Sequence, residues 1–160
     1  MTNYEKVHEK LNGLIATEAV FMFKMYHRHF YVKGSHFFTL HKQFEKLYEE
    51  AADTYDEFSE RLLSIGGRPY STMAQCLEHS TIEEHPQNKD VSDTDMVDGT
   101  VEDLRKITKD LMEGITMTGE IGDDTTQDML IAKKQIVDKH IWMFEAFLDQ
   151  SVRAEETMPK

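Results

Sequence analysis

Four of the 8 histidines in this chain lie close to a single Gly34-Ser35 pair: His27, His29, His36 and His41. A Gly-Ser break between helical segments predicts a turn, and residues equidistant from the turn of an antiparallel hairpin lie level with each other. His29 and His41 can therefore converge, and Glu45 follows His41 by one helical turn on the same face. Imidazole together with carboxylate is a ligand set for iron, zinc or manganese. An ordinary surface or core role for these histidines is the alternative.

A pair of carboxylates, Asp56 and Glu60, follows on the same segment. Their spacing of four residues places both on one face of a helix. Taken alone, such a pair is typical of a solvated acidic face that forms surface ion pairs with neighbours such as Arg61. The two carboxylates indicate a metal site only in combination with the histidines.

The distance between the histidines and the carboxylates decides whether one chain can bind a metal ion with both. His41 and Asp56 are 15 residues apart, about 22 Å along a helix, so they cannot share a metal ion within one chain. The helix turns to within about 60° of its starting face over this distance, so both groups face roughly one side. An antiparallel two-fold pairing of this helix with its copy, crossing near the small side chains of Glu50-Ala51-Ala52, would join the histidines of one chain to the acids of the other. The spacing thus predicts a metal site shared between two subunits.

A metal site inside a single bundle is a different arrangement and is not expected here. Di-iron carboxylate bundles use Glu-x-x-His motifs that project into their own core. The chain shows this spacing at Glu5 and His8, at the fraying start of the first helical segment.

Four segments with helical periodicity carry these residues. The first runs from about residue 4 to 33, the second from about 36 to 65, and the fourth from about 124 to 150. The third begins near Ser92 or Asp93, and Gly119 and Gly122 mark its end. Ser35 is expected to cap the second helix, and the run Gly66-Gly67-Arg68-Pro69 to end it.

The links between the segments indicate the topology. Short links join the first helix to the second and the third to the fourth, so each pair should form an antiparallel hairpin. Residues 66 to 92 form a longer connection, in which residues 73 to 78 could form a short helix. We therefore predict an all-α, ferritin-like four-helix bundle whose long crossover between helices two and three carries a short helix. We expect residues 1–160 to form a single domain.

The charge balance bears on the partners that the chain can bind. There are 30 acidic residues against 18 lysines and arginines, a net charge of −12. This balance argues against nucleic acid as the main partner, because DNA affinity comes largely from basic groups. It suits the attraction of cations, although acidic proteins without such a role are common.

Neither membrane insertion nor secretion is expected. No apolar run approaches the roughly 18–20 residues of a membrane span, and residues 1–6 are not followed by the apolar region of a signal peptide. The single cysteine, Cys76, cannot form an intrachain disulfide. These features favour the cytoplasm.

The candidate ligands lie in segments that resemble two signatures of a known family, the Dps-type miniferritins, or DNA-binding proteins from starved cells. The first is His29-Phe30-Tyr31-Val32-Lys33-Gly34, then Leu40-His41 and Glu45. The second is Asp56-Glu57-Phe58-Ser59-Glu60-Arg61, running into Ile65-Gly66-Gly67 and Pro69, and the stretch Asp138-Lys139-His140-Ile141-Trp142-Met143 also matches. The resemblance covers nearly the whole chain. Its two departures, Phe30 in place of Trp and Phe58-Ser59 in place of a smaller aliphatic plus Ala or Gly, remove no metal ligand.

The resemblance implies a hollow shell of twelve identical subunits with ferroxidase sites at two-fold interfaces. It implies that iron is bound by His29, His41 and Glu45 of one chain and by Asp56 and Glu60 of its partner. Fe(II) and hydrogen peroxide or oxygen would be the substrates, and Fe(III) would be stored inside as a mineral, which protects against oxidative stress. Peroxide is commonly preferred in the family, but the sequence leaves open the oxidant and whether a site holds one iron or two.

The resemblance also implies acidic three-fold pores near the start of the last helix. Asp124 and Asp128 match those positions, and Asp123 is adjacent. The alternative is a helix N-terminus enriched in acids because they interact favourably with its dipole.

Direct DNA binding and compaction is the alternative function for such a protein, and it is not expected here. Relatives that bind DNA use lysine-rich terminal arms, whereas the first four residues contain no lysine or arginine. The tail after Gln150 sets two basic residues against two acidic ones: Arg153, Lys160, Glu155 and Glu156. A purely structural bundle is a third alternative, which the convergence of the histidines disfavours.

Overall fold

The computed structural model describes residues 1–86, 91–150 and 157–159, and five α-helices lie in these ranges. They are α1 (Asn3–Tyr31), α2 (Phe37–Ser64), α3 (Met73–His79), α4 (Asp93–Ile121) and α5 (Asp124–Phe147). The all-α prediction is confirmed, and α3 is the short helix expected within the long crossover. Within the described ranges, no helix combines the length and the apolar character that crossing a bilayer requires.

The long helices enclose one apolar core. α1 packs along α2 and against α4, α4 packs along α5, and α3 covers α1. The largest fully buried side chains include Phe44, Phe58, Leu11, Leu14, Ile15, Met25, Leu40 and Leu62. They recur at spacings of three and four residues, which is why these segments fold as amphipathic helices. Burying each of them contributes about 1.5–3 kcal/mol.

Side-chain caps determine where three of the four long helices begin. Thr2 accepts a hydrogen bond from the Glu5 amide at 3.2 Å, and the Glu5 carboxylate accepts one from the Thr2 amide at 2.6 Å. This reciprocal pair is a capping box. Ser92 and Asp123 each accept a hydrogen bond from the amide three residues further on, at the starts of α4 and α5. The caps satisfy amides that have no partner within their helix.

The start of α2 differs from the prediction. Ser35 is not its cap, since His36 precedes the helix and makes no side-chain hydrogen bond to it. Gly34 instead adopts φ +107°, and its carbonyl accepts a hydrogen bond from the Phe37 amide at 3.2 Å. The prediction for Ser35 was wrong because the glycine turn supplies a backbone acceptor in place of a side chain.

The end of α2 follows the prediction. Gly66 has φ +84°, a left-handed conformation that glycine adopts at low cost. The amides of Gly66 and Gly67 donate to the carbonyls of Leu63 at 3.1 Å and Leu62 at 2.8 Å, a Schellman motif. A Cβ atom on Gly67 would collide with the Leu62 side chain. Both glycines are therefore needed for the sharp exit into the crossover.

The last helix ends at Phe147 rather than at residue 150 as predicted. Asp149 adopts φ +57°, which takes the chain out of the helical conformation. The Gln150 amide then donates to the Glu145 carbonyl at 2.8 Å. This hydrogen bond satisfies a carbonyl that would otherwise lack a partner at the helix end.

A buried ion cluster joins α1 to α4. Lys24 Nζ lies 2.7 Å from Asp103 Oδ2, and Arg28 Nη1 donates to the same oxygen at 3.2 Å and to Thr100 Oγ1 at 2.9 Å. The side chains of Lys24 and Asp103 are only 7% and 6% exposed. Burial lowers the pKa of Lys24, and the charge of Asp103 opposes that effect. One carboxylate thus compensates two buried cations.

Asp103→Ala should therefore destabilise the fold. The substitution leaves Lys24 and Arg28 without their shared counter-ion, and breaking a buried pair in this way costs about 3–5 kcal/mol. Urea unfolding followed by circular dichroism should show a clear drop in the midpoint. Asp98→Ala is the control, because Asp98 is an exposed acid on the same helix and should change the free energy by under about 0.5 kcal/mol. Equal midpoints for the two variants would contradict the role of Asp103.

Candidate metal-binding site

His29 and His41 come together across the α1–α2 turn. Their rings stack with centroids 3.6 Å apart and planes 16° from parallel. His29 lies in the last turn of α1 and is 8% exposed, while His41 lies early in α2 and is half-buried. The predicted convergence of the two histidines is confirmed.

Each histidine is held by the backbone of the other. His29 Nδ1 donates to the His41 carbonyl at 2.7 Å, and His41 Nδ1 donates to the His29 carbonyl at 2.8 Å. A carbonyl oxygen can only accept, so the proton of each neutral ring must lie on Nδ1. The Nε2 atom of each ring then carries the lone pair that a metal ion needs. Both imidazoles are therefore set in the tautomer of a metal ligand.

Glu45 lies one turn beyond His41 on α2. Its side chain is 36% exposed, and Lys42 Nζ lies 3.8 Å away. Tyr48 interacts with this carboxylate and presents its ring edge-on to His29, with centroids 5.3 Å apart. Burial, and next the negative charge of Glu45, raise the pKa of Tyr48. Tyr48 thus packs against His29 and interacts with Glu45.

Asp56 and Glu60 are exposed on α2, more than three turns beyond Glu45 along the chain. Within the described ranges, no group of three or more His, Cys, Asp or Glu side chains is close enough together to hold a metal ion. The five candidate ligands therefore do not come together within one chain. A site that uses all of them requires a second subunit.

The middle of α2 corrects one detail of the predicted dimer crossing. Ala51 is 1% exposed and packs in the core of its own chain. Glu50 Oε2 forms a hydrogen bond with His140 Nε2 on α5 at 2.6 Å. Of the three residues proposed for the crossing, only Ala52 is a half-exposed small side chain. The turn of the helix directs the neighbouring Ala51 inward.

The interior of the bundle contains a cation of its own. Lys133 Nζ donates to Thr54 Oγ1 at 2.9 Å and lies 3.6 Å from Glu18 Oε1. Glu18 is 2% exposed, and burial raises its pKa while the charge of Lys133 opposes the shift. The ammonium group of Lys133 and the carboxylate of Glu18 thus face each other in the core between α1, α2 and α5.

The other histidines near the turn face different partners. His36 Nδ1 lies 2.8 Å from Asp93 Oδ2, and this hydrogen bond is the main reason for the lowered pKa of Asp93. The ring of His27 lies 4.9 Å from that of Tyr31. His8, of the Glu-x-x-His spacing, forms a hydrogen bond with the Ile65 carbonyl at 3.1 Å.

The acids at the start of α5 divide by role. Asp123 caps the helix and lies 3.0 Å from Arg61 Nη2. Although burial opposes it, hydrogen bonds from Thr126 and the charge of Arg61 lower the pKa of Asp123. Asp124 and Asp128 are exposed and one turn apart. These two acids are free of the capping role and remain the candidates for a cation path.

Two tyrosines beside the site were not singled out from the sequence. Tyr48 stacks on Tyr26 of α1 with ring centroids 3.8 Å apart. Tyr48 follows Glu45 by three residues and His41 by seven, a spacing that places it on their face of the helix. No such rule relates Tyr26 to Tyr48, because they belong to different helices.

Comparison with known proteins places the chain among proteins of one type. Residues 8–154 match the family described as Ferritin-like domain. The DNA protection during starvation protein of Listeria innocua is 43% identical over 143 residues, which cover 89% of this chain and 92% of the relative. General stress protein 20U of Bacillus subtilis is 39% identical over 144 residues, covering 90% and 98%. The X-ray structure of Dps from Listeria monocytogenes superposes with a TM-score of 0.89 at 41% identity, covering 91% of this chain and 94% of that one.

Replacement of either stacked histidine should weaken divalent-metal binding. His29→Ala or His41→Ala removes one Nε2 ligand and also the ring that stacks on the other imidazole. Because loss of an orienting contact alone costs about 10–100-fold in affinity, we expect at least that loss in a Co(II) titration by calorimetry. His36→Ala removes an exposed histidine bound to Asp93 and should leave the affinity unchanged. Unaltered Co(II) binding by both of the first two variants would exclude the histidine pair as ligands.

Proposed function

The chain belongs to the ferritin-like family and, through its relatives, to the Dps proteins; from that membership we propose that it oxidises Fe(II) at sites shared between subunits and stores the ferric product inside a closed shell. The observation that carries the proposal is the histidine pair, in which each Nδ1 atom donates a hydrogen bond to a backbone carbonyl. That arrangement prepares two Nε2 atoms for a metal ion but supplies too few ligands to hold one tightly. The missing ligands must come from elsewhere.

The second subunit is the proposed source of those ligands. Asp56 and Glu60 are exposed and lie on the helix that carries His41. An antiparallel two-fold contact along α2 would bring the partner subunit's Asp56 and Glu60 to His29, His41 and Glu45. The same symmetry builds a second identical site at the other end of the contact.

The ligand set suits the oxidation of iron. Neutral imidazole and carboxylate both bind Fe(II), and the hard carboxylate oxygens favour the more highly charged Fe(III) product. With hydrogen peroxide, two Fe(II) ions give up two electrons in all, and two protons complete the conversion of peroxide to two waters. Iron and peroxide, or oxygen, are the proposed substrates, and the reaction limits the formation of hydroxyl radicals.

Known structures of a relative are compatible with metal binding. Dps from Listeria innocua has been solved after soaking with zinc and with cobalt, and as variants that replace histidine by glycine. Those solved forms concern that protein. For this chain we propose iron as the metal, a shell of twelve subunits, and one domain spanning residues 1–160.

The relatives are named for DNA protection, which iron chemistry or direct binding could provide. The net charge of −12 favours the former, because an acidic protein repels DNA phosphates. The tail residues that bear on direct binding, Arg153, Glu155, Glu156 and Lys160, lie outside the described residues. We propose protection through the removal of Fe(II) and peroxide.

A subunit-mixing experiment tests the shared site. One variant carries His29→Ala and His41→Ala, and the other carries Asp56→Ala and Glu60→Ala. Each assembly alone should lose rapid Fe(II) oxidation, because every site lacks two of its five ligands. When equal amounts are dissociated, mixed and reassembled, random pairing should restore roughly a quarter of the sites, since one site of each mixed dimer is intact. Stopped-flow absorbance of the ferric product measures the recovery.

The control for mixing is reassembly of each variant by itself, which should recover no activity. Mass spectrometry should verify that mixed assemblies have formed. A site contained within one chain predicts that mixing restores nothing, so activity at the level of the separate variants would refute the shared site.

Asp124 and Asp128 are the proposed lining of an entry path for iron. Asp128→Asn should slow iron uptake at low ionic strength, because loss of the carboxylates lowers the local concentration of cations. The effect should fade at high salt, where charges are screened. Asp98→Asn, an exposed acid on α4, is the matched control. Wild-type uptake by the Asp128 variant at low salt would rule out the path.

A further inference from the structure

Three sulfur-containing side chains line one cavity between α1, α2 and α3: Met22, Met73 and Cys76. We propose that this cavity binds a soft monovalent metal ion, Cu(I), through the thiolate of Cys76 and the thioethers of the two methionines. Met22 precedes His29 by seven residues on α1, about 10 Å along the helix. The sulfur site is therefore separate from the histidine pair, and it does not depend on the proposed iron oxidation.

The cavity gives an ion both room and access. Its volume is about 230 Å³, and apolar side chains such as Val20 and Leu77 form much of its wall. Cys76 is 5% exposed, so its sulfur belongs to the protected side of the cavity. Met73 is 70% exposed although it lines the same cavity, so it lies where the cavity meets solvent. An ion can thus enter past one thioether and reach the buried thiol.

Hydrogen bonds at the start of α3 hold two of the sulfur ligands in place. The Thr72 hydroxyl accepts from the Gln75 amide at 3.2 Å, and the Gln75 side chain accepts from the Thr72 amide at 3.3 Å. Met73 and Cys76 are three residues apart on this capped helix, a spacing that places them on one face. Because α3 packs against α1, Met22 reaches the same cavity from the neighbouring helix.

The surroundings of Cys76 keep its thiol protonated at neutral pH. Burial raises the pKa of Cys76, and a hydrogen bond with Tyr55 opposes the shift without cancelling it. The sulfur lies 4.0 Å from the Tyr70 carbonyl oxygen, which is a weak contact. When Cu(I) binds, one Cu–S bond to the thiolate forms and one proton leaves for solvent. Copper keeps its oxidation state, so the step needs no oxidant or reductant.

The donor atoms determine which metal ion fits the cavity. Thiolate and thioether sulfur are soft ligands that favour Cu(I). Structural zinc is held by four ligands drawn from cysteine, histidine and carboxylate side chains, and thioethers are not among them. The proposed iron site offers imidazole and carboxylate instead. Iron and Cu(I) are thereby directed to different places in the same chain.

The test is an anaerobic titration of the reduced full-length protein with Cu(I), in competition with the chromophoric chelator bicinchoninate. A His29→Ala, His41→Ala background removes imidazoles that could compete for the ion. We expect one tightly bound Cu(I) per chain and an X-ray absorption spectrum with sulfur as the only neighbour of copper. Cys76→Ala should abolish tight binding. Met22→Leu and Met73→Leu conserve volume and should each weaken binding about tenfold or more, because each removes one soft ligand.

Met143→Leu is the matched control, because Met143 is an exposed methionine on α5, and it should leave the affinity unchanged. Circular dichroism should show that the variants keep their helices. Retention of tight binding by Cys76→Ala would overturn the site. Unchanged affinity in both Met22→Leu and Met73→Leu would also overturn it, since the methionines would then serve packing alone. If Cys76→Ala does not fold, the two leucine variants and the absorption spectrum decide the outcome. None of these results bears on iron oxidation, which is measured in the chain with intact histidines.

Discussion

Two reciprocal hydrogen bonds across the α1–α2 turn are the interaction on which the candidate site depends. Each histidine donates a hydrogen bond from its Nδ1 atom to the other's backbone carbonyl. The His29 carbonyl lies in the last turn of its helix, where helical carbonyls lack partners. The same contact therefore completes a helix end, orients two rings and selects the tautomer that binds metal. A change in the turn geometry set by Gly34 would alter all three together.

The bundle core explains why metal chemistry is proposed at the surface. Lys133 supplies a positive charge beside Glu18 between the helices, and Lys24 and Arg28 share Asp103. These buried charges are compensated by one another, and a metal ion would have to displace a cation that is already in place. The histidine pair, by contrast, lies at the α1–α2 turn, and no buried cation contacts it in the part of the chain that the structure describes. In the proposed site a second subunit completes the ligand set, so the proposed activity and the oligomeric state are coupled.

The surroundings of the histidine pair combine polar ligands with aromatic rings. Glu45 interacts with Tyr48, whose ring stacks on that of Tyr26 and lies edge-on to His29. The exposed ring of Phe30 packs against Tyr26 in turn. The two tyrosines thus join α1 to α2 beside the histidine pair.

Much of this protein could be read from the sequence, because a helix has a constant rise and turn per residue. That regularity yielded the four long helices, the convergence of His29 with His41, and the distance that separates them from Asp56. The stop at Gly66-Gly67 followed from the glycines themselves. Tertiary structure decided what depends on contacts between distant segments. It replaced Ser35 by the Gly34 carbonyl at the start of α2, directed Ala51 inward, and engaged Asp123 with Arg61. It also brought Tyr26 onto Tyr48, since side-chain stacking between helices follows from their packing and not from spacing along either one.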